Sequence, residues 1–175
     1  MSIFEVIKGD HEDIRVLLNE VIDQTSVSIP KRKHELEHPE DWEEALHDLK
    51  LALVAHNRAE EATLYLKLRS LSVPTANTKI HEHNEAEDIL HEIERMNPQD
   101  REWGERLGFL RNQIESHQAE EETSTFDLIK PLIEEEESSR LAEEFVRLRD
   151  DLVEGAKYHP KGRSVVNPAG LNLDG

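Results

Sequence analysis

The sequence contains no cysteine. That absence excludes disulfides, thiolate nucleophiles, cysteine-ligated zinc and iron–sulfur clusters. Aromatic residues make up only 5% of the 175 residues. No apolar run approaches the roughly 18 residues that a membrane-spanning helix needs, so no membrane span is expected. Basic residues are few beside the acids, 21 against 39, which leaves a formal net charge of -18. A chain so acidic repels polyphosphate backbones and anionic lipid, so neither nucleic acid nor membrane is expected as a partner, whereas cations are attracted. The opening stretch MSIFEVIKGDHEDI carries acids where a signal peptide needs an unbroken apolar segment. A cytoplasmic location is therefore expected. Charged residues reach 34%, so apolar residues must be placed economically, and helices with one buried stripe suit that composition best. Histidine is plentiful, at ten residues, and the useful question is which of them point inward.

Apolar spacing follows the helical period in five segments. In the first, Ile3, Phe4, Ile7, Ile14, Leu17, Leu18, Val21 and Ile22 form one stripe, predicting a helix over about 2–24. The stretch TSVSIPKRKHELEHPED has no period and reads as a long loop. A second helix over about 40–71 turns Leu46, Leu49, Ala52, Leu53, Ala59, Thr63, Leu64 and Leu66 inward, and Ser72-Val73-Pro74 ends it. A third, about 76–96, carries Ile80, Ala86, Ile89, Leu90, Ile93 and Met96 up to Asn97-Pro98. The fourth, about 99–130, carries Trp103, Leu107, Leu110, Ile114 and Leu128. A fifth, about 138–155, starts at a Ser138-Ser139 cap and carries Leu141, Phe145, Leu148 and Leu152. The expected fold is all-α: an antiparallel up-down four-helix bundle over 1–135, an additional C-terminal helix over 136–156 packed on it, and an irregular tail over 157–175.

Polar residues interrupt the buried stripes at four places. His11 falls inside the first stripe, His56 lies over Leu49 and Ala52, His83 sits between Ile80 and Ala86, and His117 follows Leu110 and Ile114. Glu60 and Glu121 each stand four residues after a histidine and share its face. The pattern is an internal repeat, Asp10-His11-Glu12 then HNRAEEATLY against Glu82-His83-Asn84 then HQAEEETSTF. A pseudo-twofold bundle would bring four histidines and two carboxylates together near mid-height. An unpaired glutamate in a dry core is costly, and a cation between the two glutamates relieves it. Histidine and carboxylate without thiolate suit iron or manganese, and two carboxylates can bridge a pair of ions. His11, His56, Glu60, His83, His117 and Glu121 are therefore read as a dinuclear metal site. The plainer account of each residue alone is a hydrogen-bonded packing histidine or a surface pair, and only the arrangement of all six argues against it.

Other histidine motifs read differently. His34, Glu35 and His38 match the H-E-x-x-H pattern of zinc proteases. Pro39 disfavours the helical conformation at His38, and no apolar stripe flanks the segment, so a solvated loop is expected there. The Glu-x-x-His pairs Glu35–His38 and Glu44–His47 do not reach the core. His81, two residues from His83, projects onto the polar face but remains the alternative to His83. His91 and His159 read as surface residues.

The set His11, His56-x-x-x-Glu60, His83 and His117-x-x-x-Glu121, with DHEDIRVLL and AEEATLY around it, resembles the hemerythrin-like HHE cation-binding family in its H-HxxxE-H-HxxxE branch, over about residues 4–130. The resemblance implies a left-twisted four-helix bundle holding two non-heme iron ions with an oxo, hydroxo or water bridge, manganese or zinc being possible substitutes. Glu60 and Glu121 would bridge the irons and the histidines would be terminal ligands. Oxygen-carrying hemerythrin uses five histidines as ligands, and the set here has four. Relatives of this branch are associated with responses to oxygen, peroxide, nitric oxide or iron, which implies a small diatomic or peroxide ligand and an unspecified electron donor. Trp103 and the apolar layer around it would limit water access, and the chain would act as a monomer or homodimer. The competing functions are a metal-dependent sensor or interaction module without turnover, and a metal-free bundle.

Overall fold

The computed structural model describes residues 1–26 and 39–157, with side chains for 1–23 and 42–156. All regular structure among the described residues is helical. Helix α1 is Ile3–Ser26 and α2 is Pro39–Glu60. Proline opens α2, where its missing N–H has no intrahelical partner to lose. One π-helical turn, Glu61–Tyr65, and a last α-turn, Leu66–Ser70, continue it. The end is a Schellman cap: Ser72 N–H donates to the Arg69 carbonyl at 3.0 Å and Val73 N–H to the Leu68 carbonyl at 2.9 Å. Ser72 takes the left-handed φ of 57° that this closure requires. Helix α3 is Thr75–Arg95 and α4 is Arg101–Glu120, the latter continued by a π turn, Glu121–Thr125, by Phe126–Ile129 and by a 3-10 turn, Lys130–Leu132. Helix α5 is Glu135–Lys157.

Helices α1 and α2 pack together, as do α3 and α4, and contacts of α2 with α3 and of α1 with α4 close the bundle. Helix α5 lies along α1 and α2. The core is split into two apolar halves. One holds Ile3, Phe4, Ile7, Leu64, Tyr65, Leu68, Phe126, Ile129 and Phe145; the other holds Ile14, Leu18, Leu49, Leu53, Leu90, Ile93, Trp103, Leu110 and Ile114. Between them runs a buried polar belt of Asp10, His11, His56, Asn57, Glu60, His83, Glu87, Gln118 and Glu121.

Three expectations need correction. Leu66 and Leu128, expected inward, are 59% and 60% exposed. Each π turn inserts an extra residue into the helical period, so the buried stripe passes to Tyr65 and Leu68 in one helix and to Phe126 and Ile129 in the other. Threonine hydroxyls accompany both turns: Thr63 Oγ1 donates to the Ala59 carbonyl and Thr123 Oγ1 to the Ala119 carbonyl, each at 2.7 Å. Such back-bonding competes with the backbone ladder. Ser138-Ser139 is no cap either, because α5 begins three residues earlier, at Glu135. Glu135, Glu136 and Glu137 complement the helix dipole in its first turn, and Ser138 Oγ instead accepts from the Ile3 N–H at 3.1 Å, tying α5 to the start of α1. Trp103 does not itself line the site, although it belongs to the apolar half on one side of it: it lies 14 residues before His117 on α4, about 21 Å along the axis at 1.5 Å per residue. It packs on Trp42 instead, ring centroids 5.9 Å apart. The H-E-x-x-H segment, most of the predicted loop, His159 and nearly all of the tail lie outside the described residues.

Candidate metal centre

The six predicted residues meet in the polar belt, all of them buried except His117, whose side chain is 10% exposed. Each histidine presents Nε2 to a glutamate. Glu60 Oε2 lies 3.5 Å from His56 Nε2 and 3.4 Å from His83 Nε2. Glu121 Oε2 lies 3.5 Å from His11 Nε2 and 3.6 Å from His117 Nε2. The histidines form two close pairs, His11 with His56 at 4.9 Å between ring centroids and His83 with His117 at 4.7 Å. His83 Nε2 and His117 Nε2 are 3.2 Å apart. Glu60, His83 and His117 offer ligand atoms within 4.8 Å of one another, a spacing that could hold a metal ion. His81, the alternative to His83, is 74% exposed and faces Glu85. His47 is exposed and His91 half-buried, away from the belt.

Behind each ring stands a carboxylate that sequence reasoning left without a role. His11 Nδ1 meets Glu122 Oε1 at 2.9 Å, His56 Nδ1 meets Asp10 Oδ2 at 3.3 Å, His83 Nδ1 meets Glu61 Oε1 at 3.0 Å, and His117 Nδ1 meets Glu82 Oε2 at 2.8 Å. The partners run in a cycle: each histidine is held by an acid from the preceding helix, with the turn after α4 serving α1. Each acid in turn contacts a cation. Arg15 reaches Glu122 at 2.5 Å, Arg58 reaches Glu61 at 3.2 Å, Lys79 reaches Glu82 at 2.9 Å, and Arg149 reaches Asp10. The hydrogen bond from His117 holds the Glu82 carboxyl at about 2, and that from His11 holds Glu122 at about 2, so both are ionised and can only accept. The Nδ1 proton is thereby fixed and Nε2 is left facing the cluster, the arrangement of metal-binding histidines with carboxylate support.

The centre of the cluster is unsatisfied. His11 Nε2, His56 Nε2, both oxygens of Glu60, and Glu121 Oε2 are buried without a hydrogen-bond partner, where such atoms each cost roughly 1–3 kcal/mol. Of the four oxygens of Glu60 and Glu121, only Glu121 Oε1 is served, by the Tyr65 hydroxyl at 2.7 Å. Desolvation, with the charge of Glu60 adding to it, pushes the Glu121 carboxyl well above the usual carboxylate range. Burial opposes the charge on Glu60 too, but the close imidazoles of His56 and His83 outweigh it and hold that carboxyl well below the range. Burial likewise opposes protonation of His56, yet Asp10 and Glu60 raise it to about 10. At His11, desolvation wins and lowers the ring to about 4. Protons on histidine thus balance charge at a point where a cation fits the donor set better.

Helical bundle, buried imidazoles and facing carboxylates together define a cation-binding domain. The chain belongs to the hemerythrin family: its residues 2–129 match the hemerythrin HHE cation-binding domain. It is also similar to a protein named DNA nickase from Nostoc sp. (strain PCC 7120 / SAG 25.82 / UTEX 2576), at 25% identity over 146 residues. The match covers 83% of this chain but only 38% of that protein. No solved structure matches the chain. No helix among the described residues is long and apolar enough to cross a membrane.

Sequence reasoning missed the four outer acids and Tyr65. A signal was present, since Asp10 and Glu82 precede site histidines and Glu61 and Glu122 follow the site glutamates. Glu87, four residues after His83, is not in the cluster; it accepts from Asn57 Nδ2 at 2.8 Å and from Arg58 at 2.6 Å, tying α2 to α3.

Proposed function

We propose that this chain is a cytoplasmic non-heme di-iron protein that binds or reacts with dioxygen, hydrogen peroxide or nitric oxide in oxidative or nitrosative stress or in iron handling. The observation that carries the reading is the set of four Nε2 atoms converging on Glu60 and Glu121 while buried site atoms lack partners. His11 and His56 would hold one ion, His83 and His117 the other, with Glu60 and Glu121 shared. Bound iron supplies electrons for reducing dioxygen or peroxide and an open position for a small ligand. The chain's own contribution is positional. The outer acids fix the ring orientations, the two apolar halves exclude bulk water above and below, and Tyr65 pins one oxygen of Glu121 while leaving Glu60 free at both. The ordinary selectivity of a nitrogen and oxygen donor set admits manganese or zinc as substitutes.

The test is to load the protein with ferrous iron anaerobically, then add dioxygen, hydrogen peroxide or nitric oxide and follow near-ultraviolet and visible absorption. A ligand-dependent band that disappears on reduction is expected. Full metal loading with no spectral response to any of the three would favour the second reading, a metal-dependent sensor or interaction module, for which the packing of α5 beside the site is the specific support. The relative named as a nickase bears on DNA. That name belongs to a protein of which this chain matches 38%, and a net charge of -18 opposes a polyphosphate backbone. DNA is kept outside the reading, and retardation of duplex DNA in a gel at moderate salt would reverse that exclusion.

A further inference from the structure

The four carboxylate supports differ in where their cation originates. Arg15, Arg58 and Lys79 belong to α1, α2 and α3, whereas Arg149 comes from α5, outside the span 2–129 that matches the family domain. The internal repeat gives a reason. The register that pairs His83 with His11 also pairs Glu82 with Asp10 and Lys79 with Ile7. Lys79 holds Glu82 from one turn away on its own helix. Ile7 is a fully buried apolar residue, so Asp10 has no equivalent cation on α1. Arg149 Nη1 meets Asp10 Oδ1 in its place, while Asp10 Oδ2 holds His56. One turn earlier on α5, Phe145 sets its ring against His56, with centroids 5.6 Å apart and planes at 74°. Both the Nδ1 support and one side of the His56 ring therefore depend on α5.

We propose that α5 is a working part of the metal centre: Arg149 is a positioning residue that, through Asp10, sets the His56 ring, so the ion held by His11 and His56 depends on α5 and the ion held by His83 and His117 does not. The inference rests on the di-iron reading above. Charge-assisted contacts fix orientation as well as add energy. Without the guanidinium, the buried Asp10 carboxylate loses the cation that holds it in place, and the imidazole loses the fixed partner that sets its rotation. The His83 and His117 pair keeps its own supports in Glu61 with Arg58 and Glu82 with Lys79.

The experiment uses the full chain loaded with iron. Iron release to a colorimetric chelator is followed in wild type, Arg149→Gln, Arg149→Lys and Arg147→Gln, with melting temperatures of the metal-free proteins alongside. Arg147 is the control, an α5 residue on the outer surface paired with Asp151 at 3.5 Å. In Arg149→Gln, half of the iron is expected to leave about 10-fold faster and half at the wild-type rate, the loss typical of a broken support behind a metal-bound histidine. Arg149→Lys should fall between, Arg147→Gln should match wild type, and metal-free melting should be alike in all four. Asp10→Asn breaks the same chain without touching α5 and should give the same single fast half, so the test survives a variant that fails to fold. Equal release from Arg149→Gln and wild type overturns the inference, as does faster release of all the iron together with lower metal-free melting, which marks a merely structural role. Wild-type protein that holds no iron removes the di-iron reading itself, and the inference with it.

Discussion

Glu121 sits where stability and function pull apart. It is fully buried, its Oε2 has no hydrogen-bond partner, and its carboxyl is pushed well above the usual range by desolvation. Glu121→Gln keeps the shape and the Tyr65 contact while removing the need for charge. The metal-free variant is expected to melt no lower than wild type, and iron retention after dialysis is expected to fall sharply; a variant that holds iron normally would show that Glu121 is no ligand. The outer acids act in the opposite direction. Glu82 and Glu122 are held at about 2 in the folded protein against an ordinary value of 4.5. A lowered folded value means that the stabilisation is present above pH 4.5 and disappears as pH falls through about 2. Metal-free protein should therefore lose urea resistance over that window, and Glu122→Gln should flatten part of the loss; an unchanged slope would deny the His11–Glu122 contact. The six central residues were legible because a polar side chain inside an apolar helical stripe is conspicuous. The outer acids were not, because each serves a histidine on a different helix and periodicity within one helix says nothing about such crossings.

At the scale of the element, the two π turns decide which face is buried. Both occur at the site glutamates, Glu61–Tyr65 directly after Glu60 and Glu121–Thr125 from Glu121 itself. An uninterrupted 3.6-residue period puts Leu66 and Leu128 in the core, and it fails there for that reason. The consequence can be tested in one helix. Leu66→Gln, at an exposed position, should change unfolding free energy by no more than about 0.5 kcal/mol. Leu68→Ala, fully buried against the first apolar half, should cost about 2–5 kcal/mol. Reversed magnitudes in a urea titration would mean that the helix continues without the extra residue. Periodicity alone did locate all five helices to within about three residues, because each keeps a long one-sided stripe. It missed the start of α5, where an acidic first turn favours helix more strongly than the two serines that follow stop it.

For the whole molecule, the polar belt divides one bundle into two apolar halves, and the chain has to meet the charge balance of that belt in some way. Without metal, His56, raised to about 10, keeps its proton, and His83 and Glu121 are both shifted toward their protonated forms. A bound cation displaces those protons and binds only the folded state, so loading should raise the melting temperature and release protons on binding. Calorimetry in two buffers of different ionisation enthalpy would detect the proton release, and a heat independent of buffer would contradict it. The up-down architecture was open to sequence reasoning because four amphipathic helices with short or moderate connections have few other ways to bury their stripes. The part played by α5 was not, since an amphipathic helix reveals that it docks but not against which residues. The most direct test of the central claim is metal content per chain, by mass spectrometry, on protein produced with iron available and dialysed against a mild chelator. The account predicts about two irons per chain, falling in parallel when His56 and Glu60 are both replaced by alanine. Protein that keeps no iron, or keeps the same amount after that double replacement, would contradict it.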